Sequence, residues 1–118
     1  MDSLAFRGFI HRNAYDDALR IIDKLISNKP HDAQWNYYKA FWMQCLGKDS
    51  QDAVKHYSIA LDNGAEEFWV RYNRGRLFRH LRDTEKAYTD LQRAVLLYPT
   101  HQSAHKLLDK MVDIGLRH

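Results

Sequence analysis

The chain has 118 residues, 45% of them apolar, with only two prolines and five glycines. That length suits one domain with its own core, residues 1–118, and the composition excludes a collagenous, linker-like or disordered chain. A formal charge of +3 admits an acidic partner but falls short of a nucleic-acid-binding signature, and no apolar run reaches the ~20 residues of a membrane helix.

The start, Met1-Asp2-Ser3, has neither a basic lead nor an apolar signal segment. Cys45 is the single cysteine, so no internal disulfide can form, which fits a reducing compartment and a cytoplasmic location. No activating motif surrounds Cys45, and a small buried or groove-lining residue is the expected role.

In chain order, a helical phrase first runs from Tyr15-Asp16-Asp17-Ala18-Leu19 through Ile22 and Leu25 to Pro30. A second helix is expected over 35–46, capped by Asp32 and ended by Gly47. The first phrase then returns as Gln51-Asp52-Ala53-Val54, continuing through Tyr57 and Ala60 to Asn63-Gly64, with Ala65 standing where the other copies have proline. Glu66 and Glu67 place negative charge at the start of a helix expected over 69–81. The phrase returns once more as Glu85-Lys86-Ala87-Tyr88, through Leu91 and Ala94 to Pro99. A closing helix is expected over 102–116, carrying Ala104, Leu108, Met111 and Val112. The leading alanines Ala18, Ala53 and Ala87 stand 35 and then 34 residues apart, and each copy repeats apolar residues at helical spacing. No segment alternates with period two between turn pairs, so no strand is expected.

This pattern resembles the tetratricopeptide repeat family, whose unit is ~34 residues. The third copy carries Tyr72-Asn73-Arg74-Gly75, Phe78, Ala87, Leu91, Ala94 and Pro99 at the family's characteristic positions; the second carries Ala40, Gly47, Ala53, Tyr57 and Ala60, with one extra residue in its internal turn. The first matches through Phe9, Ala18, Ile22, Leu25 and Pro30 and departs at Phe6, where the family has a small residue. Lys39 and Arg74 stand where leucine is usual, so their stems are expected to pack while their charges reach water. The resemblance implies an all-α fold, a right-handed superhelix of antiparallel helix pairs. Three repeats, at about 1–32, 33–67 and 68–101, would precede the closing helix, because one repeat cannot bury its apolar face alone.

In such a stack the first helix of each pair lines the concave face. The resemblance therefore turns inward Gln34, Tyr37, Tyr38, Phe41, Gln44 and Cys45 in the second copy, and Trp69, Tyr72, Asn73, Arg76, Arg79 and His80 in the third. The first copy adds Ser3, Leu4, Arg7, Ile10 and His11. This stripe is aromatic and basic with no carboxylate in it. Rings provide large contact area at low entropic cost, guanidinium groups grip carboxylates, and an amide such as Asn73 can hold an extended backbone. The candidate binding residues are Arg7, Tyr37, Tyr38, Phe41, Trp69, Tyr72, Asn73, Arg76 and Arg79, and the expected partner is another protein or peptide, acidic or aromatic in character. One subset of the family holds chaperone C-termini with a lysine–asparagine–arginine clamp. The matching positions here are Ser3, Arg7, Tyr38, Trp69 and Asn73, which lack that pattern.

His101, His105 and Asp109 fall four residues apart at the start of the closing helix, a spacing that suits a metal but that surface histidines also reach by chance; no metal or cofactor is expected. Acidic residues such as Asp16, Asp17 and Asp52 fall on solvent-facing positions and suit helix-start charge, not acid–base catalysis, so no enzyme is expected. The alternative reading is single-stranded RNA binding through Tyr72, Arg76, Arg79 and Arg82, against which stand the small net charge and the missing pair of base-reading residues. The apolar residues of the closing helix, Leu107 to Leu116, spread over more than one side, which suggests a homodimer through that helix.

Overall fold

The computed structural model describes residues 12–116, and every regular element among them is a helix. Six follow in order: α1 (Arg12–Asn28), α2 (Ala33–Leu46), α3 (Ser50–Asp62), α4 (Glu67–His80), α5 (Thr84–Leu97) and α6 (Gln102–Leu116). Connections of four residues (29–32, 63–66, 98–101) alternate with connections of three (47–49, 81–83), so α2 pairs with α3 and α4 with α5. Each helix packs on the next, and α2 also touches α4 across the stack. None is long and apolar enough to cross a membrane. Phe6, Phe9 and the first-copy stripe lie outside the described residues.

The boundaries follow from capping chemistry. Asp32 accepts from the Trp35 N–H at 2.9 Å and starts α2. Gly47 ends it in the left-handed region (φ 67°), with its N–H on the Gln44 carbonyl and the Lys48 N–H on the Met43 carbonyl. Arg82 does the same job after α4 at φ 62°, where the Arg82 and Asp83 N–H groups bond the Arg79 and Phe78 carbonyls. Two residues, Lys48 and Asp49, follow Gly47 before α3, whereas only Asp83 follows Arg82 before α5. Counted from the left-handed residue, the second copy's internal turn thus carries one residue more than the third's, although both connections between helix ends are three residues long.

Small residues set the spacing between helices. Ala40, Ala53, Ala60, Ala87, Ala94 and Ala104 are fully buried, and a Cβ on Gly75 would stand 2.9 Å from the Leu91 Cγ. Around them, Met43, Tyr57, Val70 and Leu77 fill the space between α2, α3 and α4. Phe78, Leu91 and Met111 fill that between α4, α5 and α6, and Phe68 packs with Ala94 and Ala104.

Two expectations change. Lys39 meets Asp23 at the surface at 2.5 Å, but the Arg74 side chain is largely buried, with 14% exposure. It forks onto Asp90, itself 2% exposed, with Nε on Oδ2 at 2.7 Å and Nη2 on Oδ1 at 2.8 Å; Arg71 adds a third bond at 3.1 Å. A buried counter-charge across the α4–α5 seam replaces solvation. The closing helix, for its part, turns Met111 inward and packs Leu107 and Leu108 on the Phe78–Leu91 cluster. Among its described side chains Val112 is the large apolar residue left exposed, so Met111 belongs to the core and not to a dimer face.

Candidate functional site

The walls of the groove are the facing sides of α2 and α4. Tyr37, Tyr38, Phe41 and Gln34 on α2 meet Trp69, Tyr72, Asn73 and Arg76 on α4 around a concavity of about 540 Å³, closed at one end by Ala65 and Glu66. Of the sequence-derived candidates, Tyr37, Tyr38, Phe41, Trp69, Tyr72, Asn73 and Arg76 come together here. Arg79 lines an adjoining basin, Arg7 lies outside the described residues, and Cys45 is exposed beside Tyr15, away from this concavity.

The rings are held before any ligand arrives. On the α2 wall Tyr37 stacks on Phe41 (centroids 6.3 Å) and meets Tyr38 edge-on at 5.7 Å, while Tyr38 stacks on Trp42 at 5.7 Å. On the α4 wall Trp69 and Tyr72 lean on the buried Phe68, Tyr72 nearly parallel to it at 5.8 Å. His101 sits amid these rings, 5.0 Å from Tyr72 and 5.7 Å from Trp69. Its Nδ1 accepts from the Ala104 N–H at 3.2 Å and so starts α6. His105 bonds the Pro99 carbonyl. These two histidines serve the α5–α6 turn, and no metal-binding cluster forms among the described residues.

Beneath the rings lies a polar floor. The Tyr57 hydroxyl, fully buried on α3, donates to the Gln44 Oε1 at 2.6 Å, and the Gln44 amide donates to the Asn73 carbonyl at 3.3 Å. Asn73 in turn donates to the Tyr37 hydroxyl at 2.9 Å and accepts from Arg76 at 3.3 Å. Burial raises the Tyr37 and Tyr57 phenols above their ordinary range, so both stay neutral. Asn73 is only 3% exposed. Its amide ties α2 to α4 and orients Arg76, whose guanidinium lies 5.6 Å from the Tyr72 centroid.

Three lining or supporting residues escaped the sequence reading. Glu66 puts a carboxylate in a groove expected to hold none; it stands one residue before α4, where a count along the helix face does not reach. Phe68 supports the α4 wall from the core. His101 was visible only as half of a histidine pair, although its place immediately before a helix is a capping position.

No protein-family model matches the chain, and no curated protein matches it in sequence. Among solved structures it is similar to the crystal structure of MamA, with a TM-score of 0.81 at 19% identity over 90% of this chain. The chain spans 61% of that structure's length. The likeness is one of fold alone, an all-helical repeat.

Proposed function

We propose that this chain is a non-catalytic protein-interaction module that takes an extended partner segment in the concave groove between α2 and α4. One observation carries the reading: Tyr37, Tyr38, Phe41, Trp69 and Tyr72 converge with Arg76 on a single concavity. Trp69 stays 39% exposed there. Pre-stacked rings give a ligand contact area without the cost of ordering them. Helical-repeat stacks present such extended concave surfaces for macromolecular partners. The reducing compartment suggested by Cys45 fits a cytoplasmic adaptor.

The RNA alternative needs a free face on Tyr72 for a stacked base. Phe68 occupies one side of that ring, and the Arg76 guanidinium lies over it as well. A carboxylate, Glu66, also shares the groove, which disfavours a phosphate backbone.

The test is affinity capture from nuclease-treated extract with the full chain, repeated with Trp69→Ala and Arg76→Glu. Both side chains are exposed, so circular dichroism and melting should stay nearly unchanged while the captured protein is lost. Capture that ignores both substitutions would place the site elsewhere.

A further inference from the structure

A second basin adjoins the aromatic one. It wraps the C-terminal end of α4, encloses about 810 Å³, and is lined by Arg76, Arg79, His80 and Arg82, with Gln44 across from them and Leu107 of α6 at its edge. No Asp or Glu lines it among the described residues. Among those residues no ion pair is formed by Arg79 or Arg82 either. Other arginines of the same region are spoken for: Arg71 and Arg74 by Asp90, and Arg93 by Glu67. Arg76 borders both basins. The concave face is therefore split by charge, aromatic with a carboxylate at the Glu66 end and wholly basic at the Arg79 end.

From Trp69 to Arg79 is ten helical residues, ~15 Å along α4 at 1.5 Å per residue. An extended chain covers that in roughly four to five residues. We infer that the bound segment is bipartite: an aromatic or large apolar residue seats between Tyr38 and Trp69, and Asp or Glu side chains roughly four to five residues away are gripped by Arg79 and Arg82, with Arg76 between the two halves. The inference rests on the groove reading above and adds the partner's chemistry to it. Charge complementarity carries it, because unpaired guanidinium groups around a concavity are forks without their carboxylates. Glu66 sets the polarity: it repels an acidic residue at the aromatic end, so the acidic half has one place to lie.

The probe is a random 12-residue phage-displayed peptide library, selected on the full chain and on two paired variants, followed by fluorescence anisotropy with the enriched peptides. The wild-type chain should enrich peptides that carry an aromatic cluster with an acidic cluster four to five residues away. Arg79→Gln/Arg82→Gln, which adds no charge at the helix end and should melt like the parent, should still enrich the aromatic half and lose the acidic one. It should bind the wild-type consensus peptide roughly tenfold more weakly. Acidic residues absent from the wild-type consensus, or persisting undiminished in that variant, overturn the inference and leave the groove reading standing. Tyr38→Ala/Trp69→Ala should abolish enrichment of the aromatic half; if the same aromatic peptides survive it, or nothing is enriched by the parent, the groove reading fails and the inference with it. A twelve-nucleotide oligouridylate that binds more tightly than the consensus peptide, and is released by Arg79→Gln/Arg82→Gln, would overturn both in favour of RNA.

Discussion

Arg82 holds a backbone conformation that L-residues with a side chain reach at a cost of ~1–2 kcal/mol, and it does so to let the Arg79 and Phe78 carbonyls find their partners. Gly47 fills the equivalent place after α2 without strain, and that residue could be recognised as a helix stop in the sequence. Arg82 could not, because nothing distinguishes an arginine in the left-handed region from one on a helix face. Arg82→Gly should therefore raise stability by ~0.5–1 kcal/mol, measured by urea denaturation, whereas Arg82→Ala should give no such gain. A neutral or harmful glycine would show that the side chain itself contributes to the fold. Asn73 illustrates the same limit of legibility. Its position on the inward stripe was readable, but its commitment to Tyr37 and Arg76 needed the distance between α2 and α4.

The α4–α5 pair rests on complementary shape and one buried charge. Gly75 allows close approach to Leu91, and its small size was enough to place it at an interface from the sequence. Asp90 was not legible in this way. An acidic residue inside a helix reads as a solvated one until the register of α5 against α4 brings Arg71 and Arg74 opposite it. Asp90→Ala leaves the partly buried Arg74 guanidinium without its counter-charge and Arg71 with only its longer contact to Glu67. The expected loss is about 3 kcal/mol, the low end for a broken buried pair, because Arg74 and Arg71 keep 14% and 24% exposure. Thermal melting checks it, and a shift within the error of a surface substitution would mean that solvent reaches this seam. The order of the six described helices followed from period and spacing, which depend on local pattern, and the rings that gather between α2 and α4 were named by the family resemblance. The Glu66 rim and the His101 cap followed from neither, since both stand just outside helices where turn geometry decides direction.

At the scale of the whole molecule, stability should depend on pH through His56. This imidazole packs between α2 and α3, with Nδ1 2.8 Å from the Asn36 Oδ1. The Asn36 amide nitrogen already donates to the Pro30 and Asp32 carbonyls, so its oxygen must accept and His56 must donate. Burial, reinforced by Lys39 and Lys55 and opposed by Asp52 and Asp23, holds the His56 pKa below its ordinary value of 6.5. The unfolded chain thus takes up this proton first. The His56 contribution is complete above about pH 6.5 and is lost as pH falls below it. Melting temperature should decline from pH 7 to pH 5, and His56→Gln should flatten that decline; an unchanged slope would assign the acid sensitivity to other groups.

The five arginines from Arg71 to Arg82 are sorted by Asp90. Two face inward and are neutralised, while Arg76, Arg79 and Arg82 face the concave side without a carboxylate partner among the described residues. A formal charge of +3 therefore understates the field in front of the groove. A concave basic surface focuses potential outward and speeds the approach of an acidic segment before any contact forms. On this view the arginines govern how fast the partner arrives, and the rings how long it stays. Raising salt should slow association steeply, over a Debye length that shrinks from ~10 Å at 0.1 M to ~3 Å at 1 M, and leave dissociation comparatively untouched.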